Sequence, residues 1–301
     1  MGLWIGSLEN KIIMKILVTG NLGYIGPILG KFLKTESDNI ELIGVDTGFF
    51  QPILIDPYLN YDFYYDKQLY KDVRDIKSSD LESIDAVIHL AAVSNDPMGK
   101  LFEDATKDIN HKASVELALK AKKNGVKNFV FASSCSVYGS GGDNAKKEDD
   151  TLNPLTAYAN SKIDTENDLS ELADDNFLVT CFRFATACGY SPRIRLDLVL
   201  NDFVTSAIST GRIEILSDGS PLRPLIDVED MSRALYFGCI RNMDSGGSLL
   251  ICNAGSNEWN YNILELAHKV KSIIGSVDIS VNQNAEPDKR SYKVDFSKFN
   301  S

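Results

Sequence analysis

The chain has 301 residues, of which 44% are hydrophobic and 24% charged; this composition excludes fibrous and disordered classes and suits one large α/β domain, alone or with a smaller one. Its formal net charge of −11 argues against a nucleic-acid partner, because most of the surface would repel a phosphate backbone. No apolar run reaches the ~20 residues of a membrane span, and the first residues lack the pattern of a signal peptide. The five cysteines form no C-x-x-C pair. We therefore expect a cytoplasmic protein without a metal site.

The first half of the chain alternates short apolar runs with segments whose apolar residues recur at helical spacing. The run over residues 14–20 predicts a buried strand, and residues 24–35 predict a helix behind a glycine turn. Strands that alternate with such helices are typical of βαβ units, in which a parallel sheet carries helices on both faces. The fold class we predict is therefore a doubly wound, Rossmann-like α/β sheet. The other predicted strands are 40–45, 86–90, 128–132 and 176–183, and the other predicted helices are 110–123 and 159–173.

The alternation of strands and helices weakens after Gly189, where shorter elements rich in Arg, Asp, Ser and Pro follow. We interpret residues 1–13 as an N-terminal extension, 14–189 as the main Rossmann-like domain and 190–301 mainly as a smaller substrate-binding domain. Segments near 226–252 are expected to return to the main sheet.

A glycine-rich turn, Thr-Gly-Asn-Leu-Gly-Tyr-Ile-Gly over residues 19–26, follows the first predicted strand. The pyrophosphate of a dinucleotide needs a close backbone and free N–H donors at such a junction of strand and helix. Gly20 permits the tight turn, Gly23 the close approach and Gly26 the packing of helix on strand; alternatively, all three are ordinary turn glycines. The cofactor-binding residues predicted here are Gly20, Asn21, Leu22, Gly23, Tyr24, Ile25 and Gly26.

Asp46 ends the second predicted strand, about twenty residues after the last glycine of the turn. Its carboxylate can accept hydrogen bonds from both hydroxyls of an adenosine ribose, and it would repel a 2′-phosphate. No arginine adjoins it in the sequence to hold such a phosphate. NAD is therefore favoured over NADP, the alternative being that Asp46 simply faces solvent.

Tyr158 and Lys162 are four residues apart and so share one face of a predicted helix. A lysine in that position can stabilise a tyrosinate, which could remove a hydroxyl proton as hydride leaves for a nicotinamide. Ser134 follows a strand expected to end at the cofactor edge of the sheet, where its hydroxyl could share the substrate oxygen with Tyr158. The alternatives are an incidental helix pair and a polar exit from a strand.

In this order, these motifs resemble the extended short-chain dehydrogenases/reductases, specifically the NAD-dependent nucleotide-sugar epimerase/dehydratase group. The resemblance runs from Thr19 to about Phe296. It implies NAD as cofactor, a nucleotide-sugar substrate and a homodimer formed through the helices over 110–123 and 158–173. Further positions that carry it are Asp72-Val73, His89-Leu-Ala-Ala92, Asn110, Val137-Tyr138-Gly139, Arg183, Arg223 and Val228-Glu-Asp230.

The resemblance also implies individual roles. Tyr158 is expected to be the base, Lys162 to bind the nicotinamide ribose as well, and Ser134 to be the active-site hydroxyl. Residues assigned to the ligands are Asp72 and Val73 for the adenine, Ala91 and Ala92 for the pyrophosphate, Leu90 for the cofactor, and Ser94, Thr186, Arg223 and Arg290 for the substrate.

The chain departs from the family pattern in two places. Family dehydratases carry an Asp-Glu pair, their acid and base for eliminating water, where this chain has Cys135 and Ser136; dehydration of that type is therefore disfavoured. Cys135 could act as an acid or base, but a thiol beside a sheet is more often a packing residue. Thr186 replaces the Asn with which many epimerases grip the substrate.

Arg193 and Arg195 could hold an anionic or polyhydroxyl substrate, because a guanidinium offers a planar set of donors; equally, they could belong to an ordinary surface salt-bridge set. The function we predict is an NAD-dependent, 4-epimerase-like enzyme that oxidises the sugar transiently to a keto sugar. The alternatives are an NAD(P)H-dependent reductase or dehydratase of a nucleotide-linked sugar and, from another class, a non-catalytic NAD(H)-sensing protein.

Overall fold

A computed structural model describes residues 13–50, 64–94, 101–140, 142, 144–282, 284–285 and 290–300. Except for Ile13, the predicted N-terminal extension lies outside the described residues. The strands are β1 (Met14–Thr19), β2 (Ile40–Asp46), β3 (Lys67–Tyr70), β4 (Ala86–His89), β5 (Asn128–Ser134), β6 (Leu178–Phe184), β7 (Thr186–Cys188), β8 (Arg212–Ile215), β9 (Leu222–Asp227), β10 (Leu249–Ala254), β11 (Asn260–Asn262) and β12 (Asp278–Val281). The helices are α1 (Gly26–Glu36), α2 (Glu103–Lys107), α3 (Ala113–Lys123), α4 (Ala157–Leu172), α5 (Val199–Thr210), α6 (Val228–Ile240) and α7 (Ile263–Ile274).

The main sheet has seven strands in the order β10-β6-β5-β4-β1-β2-β3, and every neighbouring pair is parallel. Residues Ile16 and Val18 of β1 face a core shared with α1 and α6, whereas Leu17 faces a core shared with α3 and α4. Both faces are therefore covered by helices, which explains why β1 is a nearly continuous apolar run. The predicted doubly wound α/β fold is confirmed.

The strand order reverses at β1, whose neighbours are β2 on one side and β4 on the other. The connections from these strands leave in opposite directions, so a crevice opens beyond their carboxyl ends. The predicted glycine turn, which follows β1, lies at this point.

The second half of the chain divides its strands between the main sheet and a smaller lobe. Strand β10 pairs with β6 in the main sheet. Helix α6 packs against one face of the main sheet, where it contacts β4, β5 and β6. The smaller lobe has a three-stranded sheet, β11-β9-β7, and a two-stranded sheet, β12-β8, which enclose their own core around Phe203, Ile213 and Leu266. None of the described helices has the length and apolar character that a bilayer span requires.

A buried ion pair ties α4 to the main sheet. The Arg183 guanidinium on β6 donates to the Glu166 carboxylate on α4, with Nη2 to Oε2 at 2.7 Å, and both side chains are at most 4% exposed. Ser133 of β5 donates to the same carboxylate, and Arg183 also bonds Tyr138 and the Glu148 carbonyl. Two buried charges are stable only when nearly all their hydrogen-bonding positions are satisfied. The network therefore fixes where α4 lies on the sheet.

Replacing Arg183 with Met should lower the free energy of unfolding by about 3–5 kcal/mol, because Glu166 would remain buried without its partner. Urea unfolding followed by circular dichroism measures the change. In the double variant Arg183→Met/Glu166→Leu no buried charge remains, and most of the loss should be recovered. A single variant as stable as the wild type would contradict the role given to this pair.

Candidate active site

A cleft of about 990 Å³ opens at the carboxyl ends of β4, β5 and β6 and extends into the smaller lobe. The carboxyl ends of these three strands lie at the same edge because the sheet is parallel. Predicted site residues that line it are Ile25, Leu90, Ala92, Ser94, Ser134, Tyr158, Lys162, Thr186, Arg195, Arg223 and Arg290. The sequence motifs therefore converge on one cavity from both lobes.

The turn over residues 20–26 has no room for side chains at Gly20 and Gly26 and only tight space at Gly23. Gly20 has φ +71°, and a Cβ there would lie 2.7 Å from the Ala91 nitrogen. A Cβ on Gly26 would lie 2.1 Å from the Asn21 carbonyl oxygen, and one on Gly23 would lie 3.1 Å from that of Gly20. The bare backbone at the start of α1 suits the close approach of a pyrophosphate, so the residues present fit a dinucleotide.

Asp46 lies beside this turn at the end of β2. Its carboxylate accepts hydrogen bonds from the Leu22 N–H at 3.2 Å and the Gly48 N–H at 2.8 Å. Burial raises the pKa of Asp46, and these two N–H donors oppose that shift. The backbone thus orients the carboxylate beside the turn, where a ribose hydroxyl can reach it.

Asn21, which was predicted to bind the cofactor, directs its side chain away from the turn. Its amide exchanges two hydrogen bonds with Gln68 of β3, at 2.7 and 3.2 Å, and the side chain is fully buried. Asn21 can therefore offer only its backbone to a dinucleotide. Neither Gln68 nor strand β3 was predicted, because a four-residue polar edge strand carries no hydrophobic periodicity.

The two residues predicted to lie near the adenine occupy the turn after β3. Asp72 caps the short helical turn Val73–Asp75 and pairs with Arg74, the Asp72 Oδ2 to Arg74 Nη2 distance being 2.8 Å. Val73 is buried in the core beneath α3.

Tyr158 and Lys162 lie in the first two turns of α4. Thr156 caps this helix by accepting a hydrogen bond from the Ala159 N–H, so the cap places Tyr158 at the cleft. Lys162 is 3% exposed, donates to the Ala132 carbonyl at 2.7 Å and lies 5.4 Å from the centre of the Tyr158 ring. Burial lowers the pKa of Lys162 to about 8, against the opposing charge of Glu166. Its ammonium is therefore held next to the phenol, as the helical spacing predicts.

Ser134 is the last residue of β5, and its Oγ accepts the Ser136 N–H at 3.2 Å. It lines the cleft together with Tyr158. Cys135, by contrast, is fully buried, donates to the Arg183 carbonyl and does not line the cleft; burial raises the pKa of its thiol well above the usual value. Cys135 is thus the packing residue that was favoured over an acid or base. Ser136 does line the cleft, and its Oγ is buried without a partner among the described residues.

The arginines divide into two groups. Arg195 reaches across the cleft, where Nη2 pairs with Asp197 at 2.6 Å and Nη1 donates to the Ser94 hydroxyl at 3.1 Å. Arg193 was expected to share this role, but its guanidinium lies 4.4 Å from the Phe50 ring centre, outside the cleft lining. Loop residues two positions apart can face opposite ways, which sequence spacing alone does not reveal.

Arg223 and Arg290 also line the cleft and contact each other. Arg223 Nη1 donates to the Arg290 carbonyl and to the Leu222 carbonyl, the latter at 2.8 Å. The lining residues that sequence reasoning missed include Glu214, Leu216 and Tyr292. The Arg-Ile-Glu-Ile alternation of β8 was the signal that could have placed Glu214 on an exposed strand face.

His89 lies in the apolar strand β4, which suggests a structural role, and its hydrogen bonds connect this strand to Thr19 at the end of β1. The Ser114 hydroxyl donates to the Asn110 carbonyl, so Ser114 Oγ must accept from His89 Nε2 at 2.6 Å. His89 Nδ1 then accepts from the Thr19 hydroxyl at 2.6 Å, and Thr19 Oγ1 accepts from the Ala91 N–H. This one-directional chain requires a neutral imidazole; accordingly, burial lowers the pKa of His89 to about 3, with the charge of Lys162 adding to the shift.

Within the described parts of the chain, no three His, Cys, Asp or Glu side chains are grouped so that they could hold a metal ion.

Comparison with known proteins gives consistent matches across the chain. The model of the NAD dependent epimerase/dehydratase family matches residues 16–255. UDP-glucose 4-epimerase of Lactobacillus helveticus is 28% identical over 307 aligned positions, which cover 91% of this chain and 87% of that one.

Two solved structures extend the comparison. MoeE5 in complex with UDP-glucuronic acid and NAD is 25% identical and superposes with a TM-score of 0.78, over 93% of this chain and 89% of that one. The NAD dependent-NDP-hexosamine 5,6-dehydratase TunA, involved in tunicamycin biosynthesis, is 22% identical with a TM-score of 0.79, over 94% and 88% of the two chains, and shows the shared fold.

The free energy of unfolding of the wild-type protein should fall by about 2 kcal/mol between pH 7 and pH 5, because His89 takes up a proton in the unfolded chain only. The sign follows from the lowered pKa of His89: the unfolded chain takes up a proton below about pH 6.5, whereas the folded chain stays neutral until about pH 3. Urea titrations at both pH values measure the loss. His89→Asn removes this component and should flatten the pH dependence; an unchanged slope would contradict the neutral, buried imidazole.

Proposed function

The chain belongs to the NAD dependent epimerase/dehydratase family, and on that premise we propose that it epimerises the sugar of a nucleotide sugar, most closely in the manner of a 4-epimerase. Membership makes it an NAD-dependent enzyme of the epimerase/dehydratase class. One observation carries the finer proposal: Ser134, Tyr158 and Lys162 share the cleft wall, while Cys135 is buried and Ser136 is not an acid. The cleft therefore has the side chains that hydride transfer needs, and it lacks the Asp-Glu pair that would eliminate water.

Each side chain has a defined task in this proposal. Bound NAD+ supplies the hydride acceptor and, in its reduced form, the donor that returns hydride to the sugar. The Lys162 ammonium stabilises the phenolate form of Tyr158, and this phenolate removes the proton of the sugar hydroxyl and becomes a neutral phenol. The Ser134 hydroxyl donates to the same sugar oxygen. The keto sugar turns over in the cleft before proton and hydride return, so hydride reaches the opposite face of the ketone. The carbon is therefore inverted without net oxidation.

The diphosphate of the substrate is expected near the arginines of the cleft. Arg195, Arg223 and Arg290 all line it, in a chain whose net charge is −11. Local cations are needed there because the rest of the surface would repel a diphosphate. Thr186, also in the lining, offers a hydroxyl to the substrate in place of an amide. MoeE5, whose solved structure contains UDP-glucuronic acid, supports a ligand of this chemical class.

A homodimer through α3 and α4 and a cytoplasmic location complete the proposal. The five cysteines are free and buried, which suits a reducing compartment.

The proposal predicts that the purified protein interconverts a nucleotide hexose and its 4-epimer without added NADH. UDP-, dTDP-, GDP- and CDP-hexoses are incubated with the NAD-loaded protein, and the sugar configuration is followed by NMR. Turnover only with a 4-keto-6-deoxy sugar and stoichiometric NADH would replace epimerisation by reduction. Loss of water would indicate a dehydratase, and no conversion with any sugar would leave NAD(H) sensing as the function.

Tyr158→Phe should lower kcat/KM by about 10²–10⁴-fold, because the phenolate that takes the proton is removed. The affinity for NAD+, measured by calorimetry, should stay near the wild-type value. Tyr70→Phe, at the exposed end of β3, is the matched control and should retain full activity. Full activity in Tyr158→Phe would rule this tyrosine out as the base.

A further inference from the structure

The phenol of Tyr24 points away from the glycine turn and into the segment over residues 189–201, here called the substrate arm. Its hydroxyl donates to the Gly189 carbonyl at 2.6 Å and accepts from Asn201 Nδ2 at 3.2 Å. The Ser191 hydroxyl donates to the Tyr24 carbonyl at 2.6 Å. Tyr24, Ser191 and Asn201 are each at most 6% exposed. The substrate arm is therefore held by a residue of the cofactor turn through buried hydrogen bonds.

Asn201 links the Tyr24 phenol to Arg195, which lines the cleft. Its Oδ1 accepts the Gly189 N–H at 3.1 Å, and its Nδ2 also donates to the Arg195 carbonyl at 3.0 Å. The two ends of the arm are thereby closed around the Tyr24 phenol. Arg195, whose backbone is held by Asn201, extends its guanidinium across the cleft to Ser94.

We propose that Tyr24 is a positioning residue that couples occupancy of the cofactor turn to the order of the substrate arm, and so to the placement of Arg195 in the cleft. NAD+ fixes the backbone of the turn, which includes Tyr24, and the arm that wraps this residue is ordered with it. By thermodynamic linkage, a ligand that orders the arm strengthens NAD+ binding to the same degree. Only the contact of Arg195 with substrate rests on the proposed function.

Two further features fit this role. Burial raises the pKa of Tyr24, so the phenol keeps its proton and remains a donor to Gly189 throughout the physiological range. The arm also contacts the loop after β2, where the Arg193 guanidinium lies over the ring of Phe50, four residues after Asp46. The arm thus has a second contact with the cofactor domain, separate from the hydrogen bonds of Tyr24.

The chain provides a matched control in Tyr65. Its hydroxyl donates to the Gly26 carbonyl at 2.8 Å, and the side chain is 6% exposed, as is that of Tyr24. Tyr65→Phe therefore removes a buried phenol hydrogen bond from the same turn but none from the arm. A general loosening of the turn would affect both variants alike.

Hydrogen–deuterium exchange of the full chain, with and without saturating NAD+, tests the proposal. In the wild type and in Tyr65→Phe, NAD+ should slow exchange both in peptides covering residues 16–30 and in peptides covering 189–203. In Tyr24→Phe the first protection should remain and the second should fall by about 5- to 30-fold, as expected for one or two lost hydrogen bonds. Ser191→Ala provides a second variant with the same expected pattern.

Arm protection that is unchanged in both Tyr24→Phe and Ser191→Ala would overturn the proposal, as would a wild-type arm that does not respond to NAD+. Neither result depends on which sugar nucleotide is the substrate. Failure of the proposed epimerase function would therefore leave this experiment unaffected, and the two failures can be distinguished.

Discussion

The buried ion pair between Glu166 and Arg183 is the constraint on which the site depends. A carboxylate and a guanidinium away from water must satisfy nearly all their hydrogen-bonding positions, and here they do so with groups from β5, β6, α4 and the turn after β5. The carboxyl ends of β5 and β6 and helix α4 are thus held in fixed positions relative to one another. Helix α4 has only a weakly amphipathic sequence, so apolar packing alone would position it less well.

This constraint reaches the chemistry through the spacing of α4. Lys162 lies one turn before Glu166, and Tyr158 one turn before Lys162, so three successive turns carry the buried anchor, the ammonium and the phenol. The anchor contributes negative charge beneath Lys162, which opposes the effect of burial on its pKa. The same carboxylate therefore serves the architecture and keeps the ammonium available beside the phenol.

Local patterns predicted the parts of this protein that depend on local structure. The glycine turn, the central strands and the Tyr158/Lys162 pair follow from short-range spacing, and the structure places them together. Strand β3 and the two small sheets are held by pairing with distant segments, which periodicity does not report. The buried partners of His89, Asn21 and Tyr24 were likewise beyond prediction, because each hydrogen bond joins residues at least 25 positions apart. Arg193 shows the converse, since an arginine in a promising motif packs on an aromatic ring.

The amide pair between Asn21 and Gln68 has a consequence for how this chain can change in evolution. A side chain at residue 26 would displace the backbone of Asn21, and any shift of Asn21 would break its pairing with Gln68, which also fills the space over Gly44. Four positions on three separate elements are thus sterically interdependent. We therefore expect these positions to vary together among related sequences, because replacing Gln68 on the outermost strand would leave the buried amide of Asn21 without this partner.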